Sequence, residues 1–311
     1  MQVDDELAQF SPPAETLITI GVFDGVHLGH KFLISKLVNL AARQHLLSGI
    51  VTFRQHPRDL LAPKNKLLFL CNVEERVQLL KNEGVDIVVP LTFNRELAKV
   101  SARDFVNLLQ KHLKMRGLVI GPDFSLGHNR EGNAEMLRAL GAEMGFSVTV
   151  VAPKTIDGEV ASSTVIRQAL AEGDMEKVTR LLGRPFSLKG TVARGEHRGT
   201  GLGFPTVNLK IDAKMALPPD GVYATRAYIE EQEFQAMTNI GLRPTFGDNN
   251  ERTIESFILN YNQDVYGKAV KIELIQRLRE EKTFASIEEL KQQIAEDVKR
   301  GSAILNTQGR E

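Results

Sequence analysis

The period of the apolar positions changes twice along this chain. Between residues 16 and about 152, short β-branched runs alternate with stretches of helical spacing. The runs are Leu17–Val22, Gly49–Phe53, Val85–Pro90, Gly117–Gly121 and Ser147–Val151, and the helical stretches lie near 30–45, 73–83, 102–113 and 131–143. In 102–113, Ser101 stands where a cap belongs, and Phe105, Leu108, Leu109 and Leu113 keep the helical period. Strand–helix alternation predicts a parallel sheet with right-handed crossovers, and such sheets place their ligands outside the carboxyl ends of the strands. After Leu181-Leu182-Gly183-Arg184-Pro185 the runs become short and turn-bounded: Phe186–Ala193, Gly221–Tyr228, Glu233–Ile240, Arg252–Ile258 and Ala269–Ile275. They predict a small antiparallel barrel or sandwich. A last helical stripe, Ile287, Leu290, Ile294 and Val298, predicts a closing helix over 286–300, with Ser286 and Glu289 as a capping box. The expected division is therefore 1–185, α/β, and 186–311, β.

Length and composition sharpen this picture. At 311 residues, with 42% hydrophobic, the chain has material for two cores. Lys+Arg and Asp+Glu both number 39, which argues against a general nucleic-acid binder. A single cysteine, Cys71, rules out a disulfide within the chain, fits a reducing compartment and reads as a small apolar side chain. The first fifteen residues carry Asp4, Asp5 and Glu6 without an apolar core, and no apolar run approaches a membrane span. The expectation is a soluble, cytoplasmic protein.

Four segments carry chemistry. The first, Gly21-Val22-Phe23-Asp24-Gly25-Val26-His27-Leu28-Gly29-His30, follows an apolar run and precedes a helical pattern. Its glycines let backbone approach a phosphate, the helix start directs N–H groups and dipole at the anion, and His27 and His30 share one face. Zinc would want a third ligand. His56, the nearest candidate, instead reads as part of a loop in which Arg54 and Arg58 are available for phosphate. The second, from Gly121 to Gly132, offers Asp123 to orient a ring or ribose, Phe124 to stack and Arg130 for phosphate, although it also reads as a plain solvated loop. The third, Ser162-Ser163-Thr164-Val165-Ile166-Arg167, reads either as helix caps or as hydroxyls and a cation for a triphosphate. The fourth runs from Arg198 to Asn208. Thr206 and Asn208 offer two neutral oxygens on one side of an extended segment, suited to a hard cation such as Mg²⁺. Glu255, alone in an uncharged strand, reads as a solvent-facing side chain or as a general base.

These segments, in this order, closely resemble the prokaryotic bifunctional riboflavin kinase/FAD synthetases, from about residue 16 to 305. Further matching stretches are 239–246, 264–267 and 277–284. The resemblance implies an N-terminal Rossmann-like nucleotidyltransferase domain that adenylylates FMN, and a C-terminal six-stranded antiparallel riboflavin kinase barrel with a terminal helix. It implies that His27 and His30 are catalytic and bind ATP phosphates in a pocket shaped by Gly21, Phe23, Asp24 and Gly29. Ser162, Ser163, Thr164 and Arg167 would complete ATP binding there, with Asp123, Phe124 and Arg130 near the flavin. In the kinase half it implies Gly201, Gly203, Thr206 and Asn208 for ATP, Thr206 and Asn208 for Mg²⁺, Glu255 as the base and Arg279 near the flavin phosphate. Riboflavin, FMN and ATP are the implied partners, with neither nucleic acid nor membrane; oligomeric state is left open. The chain departs from many relatives at Val165, where Arg is common, and at Asn260, where Asp is common, and it has no tryptophan. The competing readings are another adenylyl- or cytidylyltransferase, and a non-catalytic flavin- or nucleotide-binding regulator on the same scaffold.

Overall fold

All five residues of the first strand, β1 (Thr16–Ile20), are buried, the signature of a strand covered on both faces. The computed structural model describes residues 2–61, 67–193, 204–242, 252–261 and 263–307. Two compact units emerge, Met1–Ser163 and Thr164–Glu311.

In the first unit a short helix α1 (Gln2–Ala8) precedes β1. Then come α2 (Leu28–Arg43), β2 (Leu47–Phe53), α3 (Pro57–Leu61), α4 (Val73–Asn82), β3 (Ile87–Leu91), α5 (Ala102–Leu113), β4 (Met115–Ile120), α6 (Ala134–Met144), β5 (Ser147–Val150) and a two-stranded hairpin of β6 (Thr155–Ile156) and β7 (Glu159–Val160). The main sheet is parallel, in the order β3-β2-β1-β4-β5. Alternate residues serve opposite cores. Ile18, Ile20, Val51 and Leu91 pack with α1, α5 and α6, while Leu17, Ile50 and Val119 pack with Ile34, Leu37 and Ala41 of α2 and Leu80 of α4. The strand order reverses at β1, so the chain leaves the sheet at the topological switch point just where the Gly21–His30 segment begins. As expected, Ser101 caps α5, its Oγ accepting the Asp104 N–H at 3.1 Å.

The second unit carries α7 (Ser163–Glu172, which starts at the division), α8 (Met175–Leu182), β8 (Phe186–Ala193), β9 (Thr206–Lys210), β10 (Gly221–Ile229), β11 (Gln232–Leu242), β12 (Arg252–Ile258), β13 (Ala269–Arg279) and α9 (Ile287–Thr307). Its strands close into an antiparallel barrel in the order β10-β11-β12-β9-β8-β13. Three fully buried hydroxyls cross its interior. Thr225 Oγ1 donates to the Ala236 carbonyl (3.0 Å) and meets Thr238 Oγ1 at 2.8 Å, which meets Ser256 Oγ at 2.7 Å. Helix α9 caps one side through Leu305, against Val222, Ala224, Met237 and Leu278. It runs seven residues past the expected end at 300, because Arg300-Gly301-Ser302 reads as a stop but Gly301 lies directly against Met237. The Ser286 cap is present, its Oγ accepting the Glu289 N–H at 3.1 Å. The Glu289 carboxylate reaches one residue further than a capping box requires, to the Ala285 N–H.

Candidate functional site

The turn after β1 is built on unusual backbone. Phe23 (φ 51°), Gly25 (φ 77°) and Val26 (φ 40°) all take positive φ, a costly choice for a β-branched residue. The cost is met by burial: the Asp24 carboxylate turns inward and accepts the backbone N–H groups of Leu70 (2.9 Å) and Cys71 (3.3 Å), and the Gly25 N–H reaches Cys71 Sγ at 3.2 Å. Burial, then the neighbouring Asp24, push the Cys71 thiol up to about 12, so it packs and accepts rather than reacts.

His27 caps α2, its Nδ1 accepting the His30 N–H at 3.3 Å. The two rings stack at 3.6 Å, and Phe23 meets His30 edge-on at 5.1 Å. His30 Nδ1 is buried without a partner. Burial, then charge at His27 and Arg76, hold its pKa well below the ordinary histidine range, so it is neutral at pH near 7. Gly29 lets this helix start lie close to the end of the unit, since a Cβ there would stand 2.7 Å from the Ala161 carbonyl oxygen. Ser163 Oγ donates to the Asp24 carbonyl at 2.9 Å. Ser162 and Ser163 thus lie beside the turn, while exposed Thr164 and half-buried Arg167 occupy the first two turns of α7.

Beside the turn, at the carboxyl ends of the strands, opens a largely apolar cavity of about 830 Å³. Gly21 and Val22 form one edge, with Phe53, Phe93 and Phe105 among its walls. Asp123, Phe124 and Arg130 all line it. Arg130 (φ 61°) is turned back on its own loop, with Nε donating to Ser125 Oγ at 2.7 Å. His56, which also lines the cavity, uses Nδ1 to accept the Arg58 N–H at 3.1 Å. No group of three or more His, Cys, Asp or Glu suited to a metal occurs among the described residues.

In the second unit the barrel register joins residues far apart in sequence. Glu255 on β12 lies opposite Asn208 on β9 and opposite Asn239 on β11, and Thr206 lies opposite Phe257. Strand β12 alternates, with Ile254, Ser256 and Ile258 buried and Glu255 and Phe257 half-buried, so the row sits on the outer face. Asn239 Nδ2 donates to Glu281 Oε1 at 3.0 Å, and bare Gly241 leaves the space that this carboxylate occupies. Thr206, Asn208 and Glu255 therefore share one oxygen-rich face whose hard donors fit Mg²⁺. Gly201 and Gly203 lie outside the described residues. Arg279 closes on Asp297 of α9 through Nε and Nη2 (3.0 and 2.8 Å) and stands over the Phe284 ring.

One component of the first site carries no sequence signal. Arg76 of α4 is fully buried. Its Nη1 and Nη2 donate to the carbonyls of Val22 (2.8 Å) and Phe53 (2.7 Å), tying the chain beyond β1 to the end of β2. Amid Val73–Asn82 it looks like any helix-surface arginine; only the packing distinguishes it.

Comparison with known proteins settles the lineage. The family model for FAD synthetase matches residues 10–165 and the one for riboflavin kinase matches 182–305. The bifunctional riboflavin kinase/FMN adenylyltransferase of Escherichia coli strain K12 is 35% identical over 289 residues, covering 92% of each chain. The chain belongs to the bifunctional riboflavin kinase/FMN adenylyltransferase family. The Listeria monocytogenes family member is 33% identical over 90% of each chain. A crystal structure from Streptococcus pneumoniae, named as a macrolide-efflux protein, matches with a TM-score of 0.87 at 30% identity over 96% of both chains. In this family member no helix among the described residues is long and apolar enough to cross a membrane.

Proposed function

We infer that this chain makes FAD from riboflavin in two steps, each in its own unit. The observation that carries this is the match of both family models, in order, along a chain aligned almost end to end with bifunctional enzymes. In the second unit, riboflavin and ATP give FMN and ADP. Glu255 accepts the proton of the terminal ribityl hydroxyl, whose oxygen attacks the γ-phosphorus as ADP leaves. Thr206 and Asn208 would hold Mg²⁺, which when bound neutralises phosphate charge. In the first unit, an FMN phosphate oxygen attacks the α-phosphorus of a second ATP and pyrophosphate leaves. His27 and His30, at the start of α2, meet the polyphosphate with ring nitrogens and helix N–H groups. Ser162 and Ser163 extend that contact, and the cavity lined by Asp123, Phe124 and Arg130 takes the flavin ring. Gly21, Phe23, Asp24 and Gly29 hold the turn in shape, and Arg279 braces the flavin side of the kinase site.

The test is incubation with riboflavin, ATP and Mg²⁺, followed by chromatographic separation of FMN and FAD. FMN should appear first and FAD after it. His27→Ala should slow FAD formation about 100-fold or more and spare FMN formation, whereas Glu255→Gln should slow FMN formation about 100-fold or more and spare the conversion of added FMN to FAD. Equal damage to both steps by either variant would refute the assignment of two separate sites. Flavin binding without any turnover would point to a regulator instead.

A further inference from the structure

The cavity of the first unit carries an imbalance of charge that its apolar walls do not require. Its lining includes Arg58, Arg95, Lys99 and Arg130 against one carboxylate, Asp123. Arg130 is engaged with Ser125. Arg58, Arg95 and Lys99 are exposed, and no ion pair joins any of them to a carboxylate among the described residues. Other surface cations of the same unit do find acids: Arg103 with Glu143 at 2.6 Å, Lys111 with Asp4 at 3.1 Å and Lys31 with Glu83 at 2.9 Å. Because acidic and basic residues balance over the whole chain, the excess is local. It is also consistent in position. Arg58 follows β2, and Arg95 and Lys99 follow β3, its neighbour in the sheet.

Resting on the functional reading above, we propose that Arg58, Arg95 and Lys99 form a phosphate-selecting rim that lets the adenylyltransferase cavity take FMN in preference to riboflavin. The two flavins share one ring system, so apolar walls cannot tell them apart. They differ by a phosphate carrying close to two negative charges, and placed positive charge reads that difference. Riboflavin entering the cavity leaves the three cations as they are; FMN supplies the anion they lack. The rim thereby keeps the first substrate of the chain from occupying the site meant for its product.

The experiment uses the full chain with Mg²⁺, comparing Arg58→Ala, Arg95→Ala, Lys99→Ala and the triple variant. FAD formation is followed against FMN at saturating ATP, then against ATP at saturating FMN. The same preparations are assayed for FMN formation from riboflavin, which reports folding. The triple variant should raise the KM for FMN about 10- to 100-fold and leave riboflavin's inhibition constant in this step unchanged, so that the preference for FMN shrinks. Its KM for FMN should also lose most of its dependence on salt. An unchanged KM for FMN in a variant that still makes FAD would overturn the proposal. A rise confined to the KM for ATP would overturn it too, by assigning the rim to the nucleotide's phosphates. Failure of the unaltered chain to make FAD from FMN would instead sink the functional reading, and the proposal with it.

Discussion

His30, in the turn after β1, buries its Nδ1 without a partner. Burial, then the charges at His27 and Arg76, keep its ring neutral. An unfolded chain protonates this residue below about pH 6.5, and the folded one does not. The folded state is therefore favoured in full above that pH and loses stability as the pH falls through it. The melting temperature should drop between about pH 7 and 5, and His30→Gln should flatten that slope; an unaltered slope would remove His30 as its source. As candidates, the histidines, Glu255 and the Thr206/Asn208 pair were visible in the sequence because polar residues interrupt apolar patterns there. Arg76 was not, since nothing local marks a helical arginine whose partners are carbonyls 54 and 23 residues away. The resemblance implies Arg279 near the flavin phosphate, but its bond to Asp297 comes only from the packing of a distant helix.

Element boundaries follow a similar logic. Where periodicity and caps coincide, as in 102–113, the expected helix and the observed α5 agree residue for residue. Strand β13 extends to Arg279, four residues past its expected end, because Gln276, Arg277 and Arg279 break the apolar pattern while the backbone keeps pairing with β10. The start of α2 is the element on which the first site depends most. Gly29→Ala would press a Cβ against the Ala161 carbonyl, which is backbone and cannot rotate away. FAD formation should fall at least about tenfold, with a stability loss of about 1–3 kcal/mol, while FMN formation stays intact. Both can be read from product ratios and urea titrations. A variant with normal FAD output would mean that the helix start tolerates displacement.

Across the whole molecule, the alternation of strand and helix followed by short turn-bounded strands was enough to foresee a parallel sheet and then a barrel or sandwich. The period of the strands leaves barrel and sandwich open and the motif resemblance points to the six-stranded barrel, but the register that brings Asn208, Glu255 and Asn239 into one row comes from long-range pairing that no local pattern encodes. The same pairing wires the barrel interior with a direction. Each hydroxyl owns one proton. Thr225 gives its proton to the Ala236 carbonyl, so Thr238 must give its own to Thr225, and Ser256 its own to Thr238. One carbonyl thus orients three protons in series, and the two ends of the series are not equivalent. Ser256→Ala removes only a donor and leaves a lone pair unfilled. Thr225→Val, nearly the same in shape, leaves one proton of the Thr238–Ser256 pair without an acceptor whichever way the two hydroxyls turn, and should cost about 1–2 kcal/mol more. Unfolding free energies of the two variants would reveal a polarity built into the middle of the barrel.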